Sequence, residues 1–183
     1  PNIKAGWGHL LDCAKLAVQN PGKMFTTAHG RVSMACTTKG DWLAMRIPSG
    51  RQIMFAKPKI ELTRRVWRDE DGDLVEDEGK PSLTALKAPM WVRRPLYGGM
   101  IANAATQGGC RDILCHGLLA VDEEITPLGG NIILDVHDEI DAELPDDAAY
   151  DHEDLIRTMT TDLLARLPWL AGMPLVAAGA TLK

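Results

Sequence analysis

Apolar and polar positions follow two different spacings along the chain, which separates predicted helices from predicted strands. From residue 7 to residue 20 the apolar residues recur at helical spacing, and the segment ends at Asn20-Pro21-Gly22. This pattern predicts a helix with a firm stop. Three short segments follow, 31–36, 40–47 and 51–56, divided by Thr-Thr-Lys-Gly and Pro-Ser-Gly. They predict a three-stranded antiparallel meander.

Two further helices are predicted in the second half of the chain. Residues 100–121 form the first, although it contains Gly108, Gly109 and Gly117, each of which costs up to about 1 kcal/mol relative to alanine. Something is therefore expected to approach that backbone closely. Residues 150–167 form an amphipathic helix, for which Asp147 and Asp151 are candidate caps. The expected fold is α+β, an antiparallel sheet with packed helices in a single domain over residues 1–183.

The segment 131–144 predicts a hairpin of two short strands with His137, Asp138 and Glu139 at its tip. On each strand apolar residues occupy every second position, on one face, which is the period of a half-buried hairpin; they are Ile132, Leu134, Val136, Ile140, Ala142 and Leu144. Crowded carboxylates repel one another unless a cation offsets them, so the tip is a candidate site for a hard divalent metal. A solvated acidic hairpin is the other interpretation.

Composition limits the class of protein. The chain has 183 residues, of which 45% are hydrophobic, as in an ordinary globular protein. It contains no apolar run of the roughly 18–20 residues that a membrane span needs and no signal-peptide pattern, so no membrane association and a cytoplasmic location are expected. Four cysteines form no CxxC pair, which favours reduced thiols.

Charge is divided unevenly along the chain. Residues 1–100 carry 16 Lys and Arg against 10 Asp and Glu, whereas residues 101–183 carry 4 against 15. Seven of the ten acidic residues in the first half fall within 69–78, inside a charged stretch, 63–90, that is expected to be an exposed hairpin or mobile insertion. A basic surface beside an acidic end suits a polyanion held while a metal acts on it. Mutual attraction of the two halves is the alternative.

Asn103, Gln107 and Arg111 recur every fourth residue, so on a helix they share one face. Asn and Gln suit base edges and sugar atoms, and Arg suits phosphate. The face is therefore a candidate nucleic-acid contact. A polar helix face in water is the alternative.

These residues carry a resemblance to a known family. Val136-His-Asp-Glu-Ile140 at a hairpin turn resembles motif C of the family A DNA polymerases, the group that includes bacterial DNA polymerase I and many phage replicative enzymes. Asn103-Ala-Ala-Thr-Gln-Gly-Gly-Cys-Arg-Asp112 is similar to the helix that precedes it. In the phage members, similar stretches are found in the same order; they are Ile47-Pro-Ser-Gly-Arg51, Trp91-Val-Arg-Arg-Pro-Leu-Tyr-Gly-Gly99 and the tail 167–179.

The resemblance implies the C-terminal palm portion of a bacteriophage-type polymerase, a partial palm domain that acts in two-metal nucleotidyl transfer. Asp138 would bind Mg²⁺ in a two-metal site, with Glu139 as a supporting acid and His137 at the primer terminus. The implied ligands are a DNA primer-template and deoxynucleoside triphosphates, and the implied location is the cytoplasm of a phage-infected or bacterial cell. Asn103 and Gln107 would contact the primer-template from the minor groove. Arg51 would contact the nucleic-acid backbone; a DNA contact of Arg111 is inferred only from its helix face.

Two parts of such a polymerase are missing from the sequence. No Asp-Tyr-Ser-x-x-Glu-x-Arg motif occurs, and no fingers helix with Arg, Lys and Tyr for the triphosphate is recognisable. The chain is therefore expected to be one subunit of a split polymerase or a piece of a longer one, with motif A and the fingers helix on a partner chain. Pro1 is what removal of methionine from a Met-Pro terminus leaves, which favours a separate gene product.

Two other functions stay open. One is a non-catalytic nucleic-acid binding or processivity module on a palm scaffold. The other is a self-sufficient metal-dependent nuclease, for which the candidate residues are Asp135, Asp138, Asp141 and Glu143.

Overall fold

The structure is a computed structural model that describes residues 2–64 and 66–181 and divides the chain into two compact units, Pro1–Gly109 and Cys110–Lys183. Pro1 itself, on which the expectation of a separate gene product depends, and residue 65 of the charged stretch lie outside the described residues. The expectation of a single domain over 1–183 stays a prediction. Within the described ranges, no helix has both the length and the apolar character needed to cross a membrane.

The first unit consists of a six-stranded sheet, a small separate hairpin and two helical segments. Its elements are α1 (Ile3–Gln19), β1 (Met24–Thr26), β2 (Ser33–Cys36), β3 (Trp42–Arg46), β4 (Gln52–Thr63), β5 (Val66–Arg68), β6 (Leu74–Glu76), β7 (Lys80–Lys87), β8 (Val92–Pro95) and the first part of α2 (Gly98–Ile125). Six strands form an antiparallel sheet in the order β1-β2-β3-β4-β7-β8. The predicted first helix and three-stranded meander are confirmed.

One face of this sheet forms the core with α1 and α2. Met34 lies opposite Met45 in the register of β2 and β3, and Cys36 lies opposite Leu43, so these apolar side chains share a face. Each is buried or nearly so, and Ala14 of α1 packs in the same cluster. Burying a side chain of this size stabilises a fold by roughly 1.5–3 kcal/mol, so the meander and α1 hold one another in place.

The start of α2 lies against the backbone of α1. A Cβ atom built on Gly98 would stand 2.1 Å from the carbonyl oxygen of Trp7, well inside van der Waals contact. Gly99 lies next to the ring of the same tryptophan. Glycine at position 98 therefore permits a backbone-to-backbone approach that any side chain would block.

The charged stretch 63–90 contains two different structures. Strands β5 and β6 pair as an exposed hairpin, as the sequence predicts for its acidic part. By contrast, β7 lies inside the six-stranded sheet between β4 and β8, where Leu83 and Ala85 are buried. The exposed hairpin is thus shorter than the predicted stretch 63–90, because side chains of β7 are buried in the core.

The second unit contains the rest of α2 and a separate hairpin. Its elements are β9 (Asn131–Val136), β10 (Glu139–Glu143), α3 (His152–Arg157), a π-helical turn (Thr158–Asp162) and α4 (Leu163–Arg166). The carboxylate of Asp151 accepts the amides of Glu153 and Asp154 and forms a capping box with Asp154, so Asp151 and not Asp147 caps the predicted helix. The α+β class is confirmed.

A buried polar group links the π-helical turn to its surroundings. The hydroxyl of Thr158 donates to Glu124 Oε2 at 2.9 Å and lies 3.1 Å from the hydroxyl of Tyr150, and Thr158 is fully buried. Burial raises the pKa of Tyr150. Nearby, a Cβ on Gly117 would stand 2.5 Å from the Sδ and Cε atoms of Met159, so α2 approaches this turn closely.

Candidate functional site

The tip of the β9–β10 hairpin is a two-residue turn formed by His137 and Asp138. Val136 and Glu139 close it as directly opposed residues. His137 has φ +55°, in the left-handed region that costs a non-glycine residue roughly 1–2 kcal/mol. The turn is therefore held in a strained conformation at the position where the sequence predicts catalytic residues.

Asp138 projects from this turn without a partner. Its side chain is exposed, and among the residues described it makes neither a hydrogen bond nor an ion pair. Within residues 2–64 and 66–181 there is also no group of three His, Cys, Asp or Glu side chains placed to hold a metal ion. The described residues by themselves therefore offer no complete set of ligands for a divalent ion, and the metal role of Asp138 stays a prediction.

The two faces of the hairpin do not separate apolar from polar residues near the tip. Leu134 lies opposite Asp141 and Val136 opposite Glu139, with a bulge between Asp141 and Ala142. Leu134 is 51% exposed and Val136 43%. The expectation that this apolar face is buried is wrong for these two residues, because among the described residues the hairpin forms a two-stranded sheet of its own and joins no larger sheet.

Arg111 is engaged by the hairpin. Its guanidinium lies 3.1 Å from Asp135 Oδ2, and both side chains are about half exposed. This ion pair connects α2 to β9 three residues before Asp138. Arg111 is thus positioned beside the hairpin, whereas the sequence suggested a contact with phosphate.

Asn103, Gln107 and Arg51 belong to the first unit. Asn103 and Gln107 lie exposed on α2, one helical turn apart, and Arg51 is exposed just before β4. The Cδ of Arg51 lies 3.7 Å from the position of a Cβ on Gly108, so the structure brings Arg51 close to the helix beside Gln107. These three residues share one region of the first unit.

Of the three α2 glycines that the sequence singled out, Gly108, Gly109 and Gly117, two have structural explanations. A Cβ on Gly108 would stand 2.9 Å from Ile53 Cδ1 and 3.2 Å from Ile47 Cδ1, and Gly117 accommodates Met159. Gly109 faces open space. The close approach that the sequence predicts is therefore made by the protein's own side chains at 108 and 117.

One charged feature was missed in the sequence, the basic ribbon formed by β7 and β8. No Asp or Glu occurs from Gly79 to Arg111, while the ribbon carries four cations, Lys80, Lys87, Arg93 and Arg94. The sequence does contain an indication of it, because the acidic run that ends at Glu78 is followed by more than thirty residues without Asp or Glu.

Arg93 is fixed in this ribbon. Its guanidinium donates to Thr84 Oγ1 and to the carbonyl oxygen of Lys57, both at 3.0 Å, and lies 3.8 Å from Glu61. Hydrogen bonds from Lys59 and Thr84, with the nearby charges of Lys59 and Arg93, hold the pKa of Glu61 below its usual range. The base of the ribbon is thus ordered by a polar network.

Comparisons with known proteins give one distant relative. The chain is 29% identical over 137 residues to the DNA polymerase of Bacillus phage SP02. The match covers 75% of this chain but only 18% of that polymerase. No family model and no solved structure matches. The α+β chain described here is therefore related, at low identity, to a phage DNA polymerase.

Proposed function

We propose that this chain forms part of the palm of a family A DNA-directed DNA polymerase and supplies the motif C carboxylate, Asp138, to a two-metal site shared with a second chain. One observation carries the proposal. An exposed aspartate, which has no partner among the described residues, stands at a strained hairpin turn in a chain related to a phage DNA polymerase.

The missing metal donors support sharing of the site. Hard divalent ions such as Mg²⁺ need several oxygen ligands, and two-metal sites need carboxylates on both ions. Since the described residues offer no group of three donors, further carboxylates must come from elsewhere. The missing motif A aspartate, carried with the fingers helix on a partner chain, is the proposed source. Bound Mg²⁺ would stabilise negative charge on the reacting phosphates.

The exposed apolar side chains of the hairpin support a partner at the same place. Ile133, Leu134 and Val136 are all large, apolar and exposed on one short strand. Exposed apolar surface of this kind, next to the open edges of a two-stranded sheet, favours association with another segment. A partner strand beside β9 or β10 would cover it.

The proposed DNA contacts fall on α2 and on the turn before β4. Asn103 and Gln107 have amide groups that can donate to and accept from base edges in the minor groove, and Arg51 next to them can bind a backbone phosphate. His137 would contact the primer terminus and Glu139 would support the metal site. Arg111 would act through its ion pair with Asp135.

A chimeric polymerase tests the assignment of Asp138. The matched stretch of the SP02 phage polymerase is replaced by the corresponding residues of this chain, and extension of a labelled primer is measured with Mg²⁺ and deoxynucleoside triphosphates. We expect Asp138→Ala to lower the extension rate roughly 10²–10⁴-fold. Binding of the primer-template should be largely unchanged, because Asp138 is one exposed side chain among many contacts.

Asp146→Ala is the matched control, since Asp146 is an exposed aspartate just beyond the same hairpin. It should extend primers at the rate of the unchanged chimera. Full activity of the Asp138→Ala chimera would refute the catalytic assignment. An inactive chimera with Asp138 in place, together with no polymerase activity in complexes purified with the native chain, would contradict the proposal as a whole.

A non-catalytic DNA-binding or processivity module is the second candidate, because the described residues form no complete metal site. It predicts that Asp138→Ala changes neither extension nor binding. The nuclease alternative receives no support from the geometry, since Asp135 is paired with Arg111. Incubation of the lone chain with DNA and Mg²⁺ should therefore yield no cleavage.

A further inference from the structure

The tip of the β7–β8 ribbon exposes an apolar group that the fold does not use. Met90 is 76% exposed and Trp91 54%, and both lie between the end of β7 and the start of β8. Exposed single apolar residues are ordinary, but core packing does not explain two large exposed neighbours in one connection.

The backbone of Trp91 adds a second observation. Its φ is +54°, in the left-handed region, where a bulky aromatic residue is a genuine outlier. Glycine or asparagine would adopt this conformation at lower cost. A tryptophan that is both strained and half exposed gains little for folding, and such outliers concentrate at binding sites.

The residues that flank the tip are positively charged, which favours a negatively charged partner. Lys87 precedes it and Arg94 follows it; both are exposed, and neither forms an ion pair with any residue that the structure describes. Since no acidic residue occurs between Gly79 and Arg111, the ribbon complements a polyanion. Positive edge strands also discourage aggregation, but that role calls for no exposed tryptophan beside the charges.

The β5–β6 hairpin makes a useful contrast. It also exposes a tryptophan, Trp67, at 47%. Acidic residues from Asp69 to Glu78 follow directly, so a polyanion would be repelled there. Exposure of tryptophan alone therefore does not distinguish the two hairpins, whereas the surrounding charge does.

We propose that the tip of the β7–β8 ribbon binds single-stranded DNA, with a base stacked on the Trp91 ring and backbone phosphates bound by Lys87 and Arg94. Stacking on a protein aromatic ring needs an accessible base face, which a duplex does not offer along its length. The inference requires neither Asp138 nor a metal ion, and so goes beyond the proposed nucleotidyl transfer.

Binding of a fluorescein-labelled oligothymidylate to the full chain, followed by fluorescence anisotropy, tests the proposal. Trp91→Gly should weaken binding about tenfold, because the stacking ring is lost. Its thermal unfolding temperature should not fall, because glycine adopts the left-handed conformation without strain. Trp91→Phe retains a ring and should stay within about threefold of the unchanged chain.

Trp67→Ala is the matched control and should leave the affinity unchanged. Arg94→Gln should reduce the salt dependence of binding by about 0.7 in the slope of log affinity against log salt. Equal affinities of the Trp91→Gly variant and the unchanged chain would overturn the proposal. So would a duplex of the same length that binds as tightly as the single strand and loses as much affinity on Trp91→Gly.

Asp138→Ala separates this proposal from the polymerase assignment. It should leave oligothymidylate binding unchanged whether or not primer extension depends on Asp138. Loss of oligothymidylate binding in the Asp138→Ala variant would mean that the hairpin tip, and not the β7–β8 ribbon, holds the strand.

Discussion

Two acidic hairpins in this chain use their turn aspartates in opposite ways. At the β5–β6 turn, Asp69 Oδ1 accepts the amides of Asp71 at 3.1 Å and Asp73 at 2.9 Å, so the side chain stabilises its own turn. At the β9–β10 turn, Asp138 accepts no hydrogen bond from any described residue. One carboxylate is used in folding, and the other is left available to an external group.

The two turns also differ in the residue that adopts the left-handed conformation. Gly72, at φ +86°, occupies such a position in the first turn, and His137 at φ +55° occupies it in the second. Glycine is the residue that folding favours there, and histidine is not. Two turns of similar acidic composition therefore differ in whether the aspartate carboxylate stabilises its own turn and in whether glycine occupies the left-handed position.

The largest expected effect is on primer extension, through the charge of Asp138. Asp138→Asn keeps the size of the side chain but removes its charge, so we expect primer extension by the chimera to fall roughly 10²–10⁴-fold with no change in thermal unfolding temperature. Asp69→Asn, which keeps an acceptor oxygen, should change neither. Equal losses of extension in both variants would mean that the two hairpins do not differ in function.

Asp69→Ala should reverse the pattern. Removing the acceptor of two amide hydrogen bonds should destabilise the β5–β6 turn by about 1–2 kcal/mol, while primer extension is unchanged. Hydrogen exchange of the Asp71 and Asp73 amides measures the local loss. Asp71→Ala is the control, because the Asp71 side chain accepts no hydrogen bond within the described part of the chain. If both variants exchange alike, Asp69 does not stabilise the turn.

Substitutions at the two left-handed residues should change the free energy of unfolding by smaller amounts and in opposite directions. His137→Gly should raise the free energy of unfolding by about 0.5–1 kcal/mol while lowering primer extension, because strain is relieved and a proposed primer contact is lost. Gly72→Ala should lower the free energy of unfolding by a similar amount. Urea unfolding measures both. A His137→Gly variant that is less stable would show that the histidine side chain supports the turn.

The smallest effect concerns the ion pair of Arg111 and Asp135. Both side chains are about half exposed, so solvent screens their attraction and the coupling should be about 0.2–1 kcal/mol. A double-mutant cycle with Arg111→Gln and Asp135→Asn, followed by urea unfolding at low and high salt, measures it. A coupling that persists unchanged in high salt would contradict a screened surface pair.

Much of the fold follows from local patterns. The helical spacing before Asn20 and the turn residues between the strands were enough for α1 and the meander, since these elements bury one regular face. Strand β7 was missed because a charged neighbourhood concealed Leu83 and Ala85. When a short strand with alternating apolar residues lies within a charged stretch, the charged composition of the stretch favours a prediction of exposure over one of burial.

The candidate site was only partly predictable. The hairpin and its tip residues could be read from alternation and turn chemistry, but the exposure of Leu134 and the pairing of Arg111 depend on tertiary placement. Nor could spacing show that Gly108 and Gly117 accommodate isoleucine and methionine side chains of the same chain. A glycine in a helix indicates close approach without indicating by what.

The contact between Gly98 and Trp7 also bears on how further relatives could be recognised. The triplet His-Asp-Glu at a turn can arise by chance in unrelated proteins. At 29% identity, a match of a few residues does not separate true relatives from unrelated sequences. At position 98 a methyl group would stand 2.1 Å from a main-chain oxygen, so only glycine fits there as long as the two helices keep this approach. Glycine at 98 should therefore be a more selective marker of this architecture in remote sequences than the acidic triplet.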